Sequence, residues 1–525
     1  MTWLYPFLVA AVRVLYQADR NPGYFTLADL GVVLAAVLAG VAAIYGLARL
    51  VLRERAQGGL PALGTFLVVV CVFWFDPVAR LLPRLPYRLT HVALAAVVAA
   101  AGTLLVRWLA RRPELLRTAA KFLTLTAGLL VVRSAVGVAM DWRAQRAAIA
   151  GSAIARDLAR PIAGPATVAG PVRDVYLIVL DEYASGPVLR DLLGFNNRMF
   201  EDSLRALGFH VPSAATSNYT ETRFSLPSLL NAAYVTRVAR ELPDGTADPT
   251  LVNHLLDQSR LARFLQARGY RYVVFPSLWW SATRASTIAD SVVQVWEGFE
   301  FGRELARTEF RRTLRGSTMI DYLHRDDPFD RDFIQRTLDG LARLPSVRAP
   351  VFAFAHLLSP HTPFVFDSTC GTPPRYVEGR QRTADYLGQV QCLNRMLLAT
   401  VTRLIRDSDV PPVILLQGDH GSSMLRFWAA PSPEQVPAGA AWERFGAFGA
   451  YYLPDGGAAA LGDSVTVVNV LGHVLRHYFD ADLAREPDEW HLSIESAPYH
   501  FVRADPAWLA GGRPARPLER AETRR

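Results

Sequence analysis

Long apolar runs dominate the start of the chain, and shorter ones are spread through the rest. A helix needs roughly 20 apolar residues to cross a bilayer. Four runs approach or reach that length, at residues 30–48, 61–79, 89–106 and 118–140. A fifth, residues 2–18, is shorter and contains Arg13, so it predicts either another span or a helix at the membrane interface. It lacks the basic start and small-residue cleavage site of a signal peptide. The pattern predicts four to five membrane-spanning helices.

Basic residues are unevenly distributed around these runs. Residues 1–150 carry 16 basic and 6 acidic side chains, whereas residues 151–525 carry 40 and 42. Because the positive excess lies among apolar runs and not on a folded basic face, a nucleic-acid partner is not expected. Two alternate loops hold seven arginines and the other loops hold four, and arginine-rich loops stay in the cytoplasm. We therefore expect the chain to leave its last span on the outer face.

One charge interrupts the last apolar run. Arg133 lies about two helical turns from the outer end of that run. It is interpreted either as a side chain that reaches the lipid headgroups or as a functional site inside the membrane.

Short apolar runs alternate with amphipathic stretches in the remainder of the chain. Buried strands are predicted at residues 175–180, 272–275, 351–355 and 413–416, with helical stretches that include residues 251–268 and 382–406. This alternation is typical of an α/β domain with a mostly parallel sheet covered on both faces. The predicted organisation has four parts: a transmembrane helical bundle over 1–140, a juxtamembrane helix and linker over 141–171, an extracytoplasmic α/β domain over 172–510, and a disordered tail over 511–525.

Carboxylates and imidazoles follow three of these strands. They are Asp181 and Glu182 after the first strand, His356 and His361 after residues 351–355, and Asp419 and His420 after residues 413–416. Ligands of open α/β sheets bind beyond the carboxyl ends of the strands, so these side chains are expected to converge. Oxygen and nitrogen ligands without thiolates suit Zn²⁺ or Mn²⁺.

A hydroxyl-rich segment supplies a candidate nucleophile. Residues 217–231 predict a loop that enters a helix with Pro227 near its first turn. Hydroxyls at Thr220, Thr222 and Ser225 cluster where the helix N-terminus would supply amides and positive potential. A hydroxyl beside a divalent cation is a competent nucleophile toward phosphorus or sulfur. Each feature alone has a structural interpretation as a helix cap or turn residue, but their joint arrangement favours a metalloenzyme.

The motif order resembles a known family. The sequence L-D after a strand, then T-x-x-S-x-P, H-x-P and G-D-H-G, resembles the sulfatase-like branch of the alkaline phosphatase superfamily over roughly residues 172–480. The membrane helices followed by an outward domain are similar in architecture to lipoteichoic acid synthase and the lipid A phosphoethanolamine transferases.

The resemblance implies a role for each motif residue. Thr222 becomes the nucleophile and a metal contact, and the metal ligands become Asp181, Asp419 and His420. Three residues are implied at the transferred group, namely His361, Arg223 and His356. Glu182 is an alternative metal ligand, because the two transferase groups carry Glu at that position. Cys370 and Cys392 are expected either to pair as one disulfide or to stay free.

The resemblance also implies a function. It indicates an enzyme of the bacterial cytoplasmic membrane, with a periplasmic or extracellular domain that uses Zn²⁺ or Mn²⁺. The enzyme would move a phosphoglycerol or phosphoethanolamine type of group from a phospholipid to an envelope glycan or lipid, through a phospho-threonine intermediate. The alternatives are a membrane-anchored phosphodiesterase or sulfatase-like hydrolase, and a non-catalytic domain that binds a glycan or protein partner. Formylglycine chemistry is not expected, because the segment 370–375 has the wrong spacing for its C/S-x-P-x-R motif.

Overall fold

The computed structural model describes residues 3–51, 59–79, 87–167, 170–277, 283, 286–293, 309–316, 318, 329–373 and 383–518. The chain divides into two compact units. The first comprises Met1–Ala147 and Phe299–Asp327, and the second comprises Ala148–Gly298 and Pro328–Arg525.

Five helices lie where the sequence predicts spans. They are α1 (Tyr5–Asp19), α2 (Leu27–Val51), α3 (Leu60–Ala79), α4 (Tyr87–Ala110) and α5 (Pro113–Gly151). Within the described residues, α2 and α5 are long and apolar enough to cross a bilayer, and α3 and α4 contain shorter apolar stretches. The count of four to five spans is therefore not confirmed and stays a prediction. The loops at 52–58 and 80–86 lie outside the described residues.

The surface of α5 is unusually apolar for a helix exposed to water. Phe122, Leu125 and Leu129 are each more than 60% exposed, at 67%, 65% and 63%. Large contiguous apolar surfaces of this kind mark contact with lipid or another protein. Arg133 on the same helix pairs with Asp19 at the end of α1, with Nη2 2.9 Å from Oδ2. Its charge therefore has a carboxylate partner, which neither sequence interpretation anticipated.

The chain between β-strands of the second unit contributes a helix to the first unit. This insertion helix (Glu309–Gly316) packs Phe310 against Phe25, with ring centroids 5.1 Å apart. Its Arg311 Nε lies 2.8 Å from Asp29 Oδ1, and both side chains are largely buried. The sequence pattern placed these residues in the domain over 172–510, whereas the insertion helix belongs to the first unit because its aromatic and charged partners lie near the start of the chain.

The second unit is built on a six-stranded sheet with the order β3-β2-β4-β1-β5-β6. The strands are β1 (Val175–Leu180), β2 (Arg271–Phe275), β3 (Ser291–Val292), β4 (Val351–Leu357), β5 (Val413–Gly418) and β6 (Gly449–Tyr452). Among the described strands of this sheet, only β6 runs antiparallel to its neighbour, so the predicted mostly parallel sheet is confirmed. Every residue of β1, β4 and β5 is buried, as expected for apolar strands covered on both faces.

The register of the three central strands positions the site. Leu180 at the end of β1 lies opposite Leu357 of β4 and Gly418 of β5. The three strands therefore end together, and the residues that follow them leave the sheet at one edge.

Helices of the second unit surround this sheet. They are α6 (Ala153–Ala159), α7 (Arg198–Ala206), α8 (Thr222–Asn231), α9 (Thr250–Asp257), α10 (Arg260–Gln266), α11 (Phe329–Leu341), α12 (Thr383–Asp407), α13 (Ala438–Phe445), α14 (Val467–Phe479) and α15 (Pro506–Gly511). The helix predicted over 251–268 is two helices, because Ser259 caps α10 by accepting a hydrogen bond from Ala262 N.

The end of the chain is more ordered than its composition indicates. A hairpin of β7 (His491–Ile494) and β8 (Ala497–Arg503) precedes α15. Beyond it, Arg513 pairs with Asp191, and Leu518 N donates to Leu192 O at 2.7 Å. These contacts hold Arg513 and Leu518 against the second unit, within the segment for which the composition predicts disorder. Residues 519–525 lie outside the described residues.

Candidate active site

Three buried side chains meet where the central strands end. Asp181 follows β1, and Asp419 and His420 follow β5, and all three are at most 2% exposed. One ligand atom from each lies within 4.8 Å of the others. Asp181 N donates to Leu357 O at 3.0 Å, which ties the end of β1 to the end of β4.

One oxygen of each carboxylate in this group lacks a hydrogen-bond partner. Within the described part of the chain, Asp181 Oδ1 and Asp419 Oδ2 are buried and have no hydrogen bond. Burial, together with the neighbouring charge of Glu182, raises the pKa of Asp181 to about 8. Burial and the charge of Asp181 also raise the pKa of Asp419 well above its usual range. A buried cation would relieve both effects, so this donor set fits a divalent metal.

His420 is in the protonation state that a metal ligand requires. Its Nδ1 lies 3.2 Å from Gly421 O, so Nδ1 carries the proton and the lone pair of Nε2 faces the carboxylates. Burial and the charge of Arg444 hold the pKa of His420 well below its usual range. The imidazole is therefore neutral, and Nε2 lies 3.1 Å from Asp419 Oδ2.

Thr222 presents its hydroxyl to this group. Its Oγ1 lies 3.0 Å from His420 Nε2 and donates to it. Thr222 is the first residue of α8, with Glu221 as the capping residue, so it occupies the positive end of the helix. Pro227 is the sixth residue of α8 and not near its first turn, because the helix begins earlier than the proline indicates.

The segment before Thr222 is fixed from two sides. Ser217 Oγ donates to Asp419 O at 2.6 Å, which ties the segment to the turn after β5. Thr220 Oγ1 donates to Ser493 O at 2.7 Å and accepts from Ser493 N at 3.1 Å, which ties it to β7. The segment that precedes Thr222 is thus held by contacts with two other elements.

Glu182, the alternative metal ligand, points elsewhere. Its Oε1 lies 2.6 Å from Arg444 Nη1 and accepts a hydrogen bond from Ser423 Oγ. Burial opposes its ionisation, but the charges of His361 and Arg444 and these hydrogen bonds hold its pKa below the usual value. The structure groups Asp181, not Glu182, with the other two potential ligands.

Arg444 is the residue that sequence reasoning missed. It lies on α13 and is 7% exposed. Its Nε donates to Thr220 O at 2.7 Å, Nη1 donates to Gly421 O at 3.0 Å, and Nη2 lies 3.1 Å from His420 Nε2. The adjacent Glu443 offers a weak sequence signal, since a charged pair among the apolar residues of a short helix needs buried partners.

His356, which is predicted at the transferred group, is buried within a strand. His356 lies inside β4, is 1% exposed, and places Nδ1 3.0 Å from Ser277 Oγ and Nε2 3.6 Å from Asp181 Oδ2. Burial, with the charge of His361, lowers its pKa to about 3, so it is neutral. His356 therefore lies within β4 and not after it, because the strand runs two residues further than predicted, and its Nε2 has no hydrogen bond among the described residues. Its contact with the transferred group stays a prediction.

Arg223 and His361 have different surroundings. Arg223 Nε lies 2.8 Å from Glu221 Oε2, and both side chains are 9% exposed, so its guanidinium is engaged by that carboxylate. His361 N donates to Asp181 O at 3.0 Å, and its ring is partly exposed. The backbone of His361 is thus tied to Asp181, and the predicted contact of its side chain with the transferred group stays a prediction.

The two cysteines of the second unit form a disulfide. Cys370 and Cys392 are bonded, with Cα atoms 5.1 Å apart. The bond connects the loop after β4 to α12.

Comparisons with known proteins give one family and several similar folds. The family model described as Sulfatase matches residues 185–465. Comparison with curated protein sequences gives no match.

Three of the similar solved structures differ in how much of this chain they cover. The C-terminal periplasmic domain of EcEptC from Escherichia coli is 10% identical, covers 66% of this chain and 97% of its own, and has a TM-score of 0.41. The lipoteichoic acid synthase LtaP from Listeria monocytogenes is 11% identical, covers 61% and 76%, and has a TM-score of 0.36. The lipooligosaccharide phosphoethanolamine transferase A (EptA) from Neisseria meningitidis, an integral membrane protein, is 15% identical, covers 90% and 93%, and has a TM-score of 0.37.

Proposed function

The chain belongs to the sulfatase family, and from that premise we propose a membrane-anchored, metal-dependent transferase that moves a phospho-alcohol group. The donor is a membrane phospholipid, and the acceptor is an envelope glycan or lipid. One observation carries the proposal: the Thr222 hydroxyl lies 3.0 Å from His420 Nε2, beside two buried carboxylates with oxygens that lack partners.

Asp181, Asp419 and His420 would hold the metal. Their oxygen and nitrogen donors suit Zn²⁺ or Mn²⁺. When bound, the cation would lower the pKa of the Thr222 hydroxyl and balance negative charge on the transferred group. His356 lies beside these ligands, with its Nε2 3.6 Å from Asp181 Oδ2.

The reaction has two balanced halves. In the first, Thr222 Oγ1 forms a bond to phosphorus, the bond from phosphorus to the lipid alcohol oxygen breaks, and the hydroxyl proton ends on that alcohol. In the second, an acceptor hydroxyl attacks phosphorus, the bond from Oγ1 to phosphorus breaks, and the acceptor's proton returns to Thr222. The fixed segment around Thr220 would hold Oγ1 in position for both attacks, since orientation supplies much of the rate.

A threonine also argues against sulfatase chemistry of the formylglycine type. Formylglycine is an aldehyde made by oxidising a side chain whose reactive carbon carries no methyl group. The β-carbon of Thr222 carries a methyl group, so its oxidation would give a ketone. The side chain is therefore proposed to act as a hydroxyl.

The first unit supports a location at the membrane. The apolar surface of α5 fits lipid, and the Arg311–Asp29 pair links the insertion helix to the start of α2. The disulfide supports an oxidising compartment for the second unit.

The proposal is tested with the purified full chain in phospholipid vesicles that contain phosphatidylglycerol and phosphatidylethanolamine labelled in the headgroup. With Zn²⁺ or Mn²⁺ and an envelope extract, we expect label to move to envelope glycan or lipid and a lipid alcohol to appear. Thr222→Ser keeps a hydroxyl and serves as the matched control for Thr222→Ala, which should abolish both signals. Release of label to water alone would identify a hydrolase, and full activity of Thr222→Ala would overturn the mechanism.

A further inference from the structure

The guanidinium of Arg444 makes several contacts besides its ion pair with Glu182. We propose that Arg444 Nη2 binds an oxygen of the transferred phosphoryl group, and that it becomes available when a divalent cation takes the lone pair of His420 Nε2. This inference rests on the proposed function and adds a catalytic residue to it.

The guanidinium is fixed from one side. Nε donates to Thr220 O, and Nη1 donates to both Glu182 Oε1 and Gly421 O, at 2.7, 2.6 and 3.0 Å. The ring of Phe427 lies under it, 4.6 Å from the guanidinium carbon. These contacts hold the planar group in place and direct Nη2 toward His420. Such a preset donor costs little reorganisation when charge develops in front of it.

Nη2 has a single acceptor among the described residues. That acceptor is His420 Nε2 at 3.1 Å, and the Thr222 hydroxyl donates to the same atom at 3.0 Å. A neutral imidazole offers one lone pair at Nε2. A cation bound there would leave both donors without their acceptor. A buried donor without an acceptor is unfavourable, so Nη2 needs a new one.

The transferred group supplies that acceptor. Thr222 Oγ1 and Arg444 Nη2 both lie within hydrogen-bond distance of one atom, so phosphorus bonded to Oγ1 would bring its own oxygens near Nη2. Guanidinium groups match phosphate oxygens in geometry and charge. Arg223 is less suited to this role, because its guanidinium is engaged by Glu221.

The charges of the site also fit. Three buried carboxylates, Asp181, Glu182 and Asp419, face one guanidinium. One divalent cation would balance the remaining two negative charges, and an incoming anion would then meet a neutral site. Glu182 keeps Nη1 occupied, which leaves Nη2 for the ligand.

The test measures binding of inorganic phosphate to the full chain by isothermal titration calorimetry, with and without Mn²⁺ or Zn²⁺. Arg444→Lys keeps the charge beside Glu182 but removes the forked donor. We expect its phosphate affinity to fall at least about tenfold in the metal-loaded protein, with cation affinity changed less than about threefold. Its kcat should fall by roughly 100-fold or more, with a small change in KM.

Controls separate this role from a structural one. Arg173→Lys changes another buried arginine, which pairs with Asp455 and donates to Pro411 O away from the site, and should leave phosphate affinity unchanged. The double variant Glu182→Gln with Arg444→Gln removes the ion pair without leaving a lone buried charge, and it should fold and bind the cation while binding phosphate weakly. Without a cation, wild type and Arg444→Lys should bind phosphate equally weakly.

Each outcome decides a different claim. If metal-loaded wild type binds phosphate and Arg444→Lys binds it equally well, the role of Arg444 is wrong and the proposed function stands. If the cation-free wild type already binds phosphate as tightly as the loaded protein, the release of Nη2 by the cation is wrong. If loaded wild type binds no phosphate, the proposed function itself fails.

Discussion

Two adjacent carboxylates at the end of β1 belong to different halves of one buried cluster. Asp181 lies with Asp419 and His420 in the metal half of the cluster, where Asp181 Oδ1 and Asp419 Oδ2 have no hydrogen bond among the described residues, and burial raises the pKa of Asp181 to about 8. Glu182 lies in the half occupied by Arg444 and Ser423, and its pKa is lowered. Burial alone therefore does not mark a functional carboxylate. The site is the half in which the protein leaves charge unbalanced.

The backbone separates the two side chains. Glu182 has φ 62°, a left-handed conformation that non-glycine residues adopt at a cost. This conformation turns consecutive side chains in different directions, so one loop serves both halves. The strain is retained where contacts of Glu182 with Arg444 outweigh it.

The largest effect is expected on cation affinity, when a carboxylate of the metal half is replaced. Asp419→Asn should lower cation affinity at least about 100-fold, since changing even the outer partners of a ligand costs roughly 10- to 100-fold. Asp174→Asn alters a carboxylate before β1 that accepts from Val351 N, and it should leave affinity unchanged. Metal content of the purified proteins measures both. Wild-type metal content in Asp419→Asn would remove the metal half from the account.

Glu182→Gln should change the stability of the protein more than its cation affinity. It should keep cation affinity within about threefold, but lower the free energy of unfolding by about 3 kcal/mol, because it leaves the buried charge of Arg444 unpaired. Urea unfolding of the detergent-solubilised protein measures the loss. A loss of cation binding as large as that of Asp419→Asn would show that Glu182 and Asp419 do not have separate roles.

The pH dependence of the metal-free protein tests the raised pKa. Asp181 has an ordinary pKa of 3.8 and a folded pKa of about 8, so the folded chain holds its proton more tightly across that range. Stability should therefore fall as pH rises from about 4 to 8, by about 1.4 kcal/mol per pH unit for this group. Glu182 acts oppositely: its contribution is present above its ordinary pKa and is lost as pH falls.

Unfolding of chelator-treated protein at pH 5.5 and 7.5 measures the slope. Asp181→Asn should remove the contribution of Asp181 to the pH dependence of the unfolding free energy. Saturating Zn²⁺ or Mn²⁺ should suppress the same contribution in the wild type. An unchanged slope in Asp181→Asn would show that this carboxylate is not the unbalanced one.

The smallest expected effect comes from Ser423. Ser423→Ala removes one hydroxyl donor from Glu182, while Arg444 remains. We expect a loss of about 1 kcal/mol in unfolding free energy and unchanged cation affinity. Ser408→Ala removes a hydroxyl outside the site that donates to Leu404 O, and it is the matched control. A large fall in cation affinity in Ser423→Ala would contradict the separation of the halves.

Much of the metal half could be predicted from sequence. Fully buried parallel strands are continuous apolar runs, so β1 and β5 are visible in the pattern, and Asp181 and Asp419 directly follow them. Their register brings the ends together, which is a general property of parallel sheets. His356 was misplaced because β4 extends to Leu357, where the apolar pattern does not mark its end.

The other half could not be predicted in the same way. Arg444 lies on a short helix after β5, and no strand end or motif points to it. Its role depends on tertiary contacts with Glu182 and Thr220, which no local pattern records. The insertion helix was missed for the same reason, since Arg311 finds Asp29 far away in the chain.

The central claim is that the metal half serves a covalent step at Thr222. The most direct measurement is peptide mass spectrometry of the metal-loaded protein after brief incubation with phospholipid. Trypsin releases residues 206–223 as one peptide, and fragmentation distinguishes Thr222 from Thr220. We expect a phospho-alcohol adduct on Thr222 that disappears when acceptor is added and is absent in Asp419→Asn. Turnover with no adduct on Thr222, or an adduct on another residue, would contradict it.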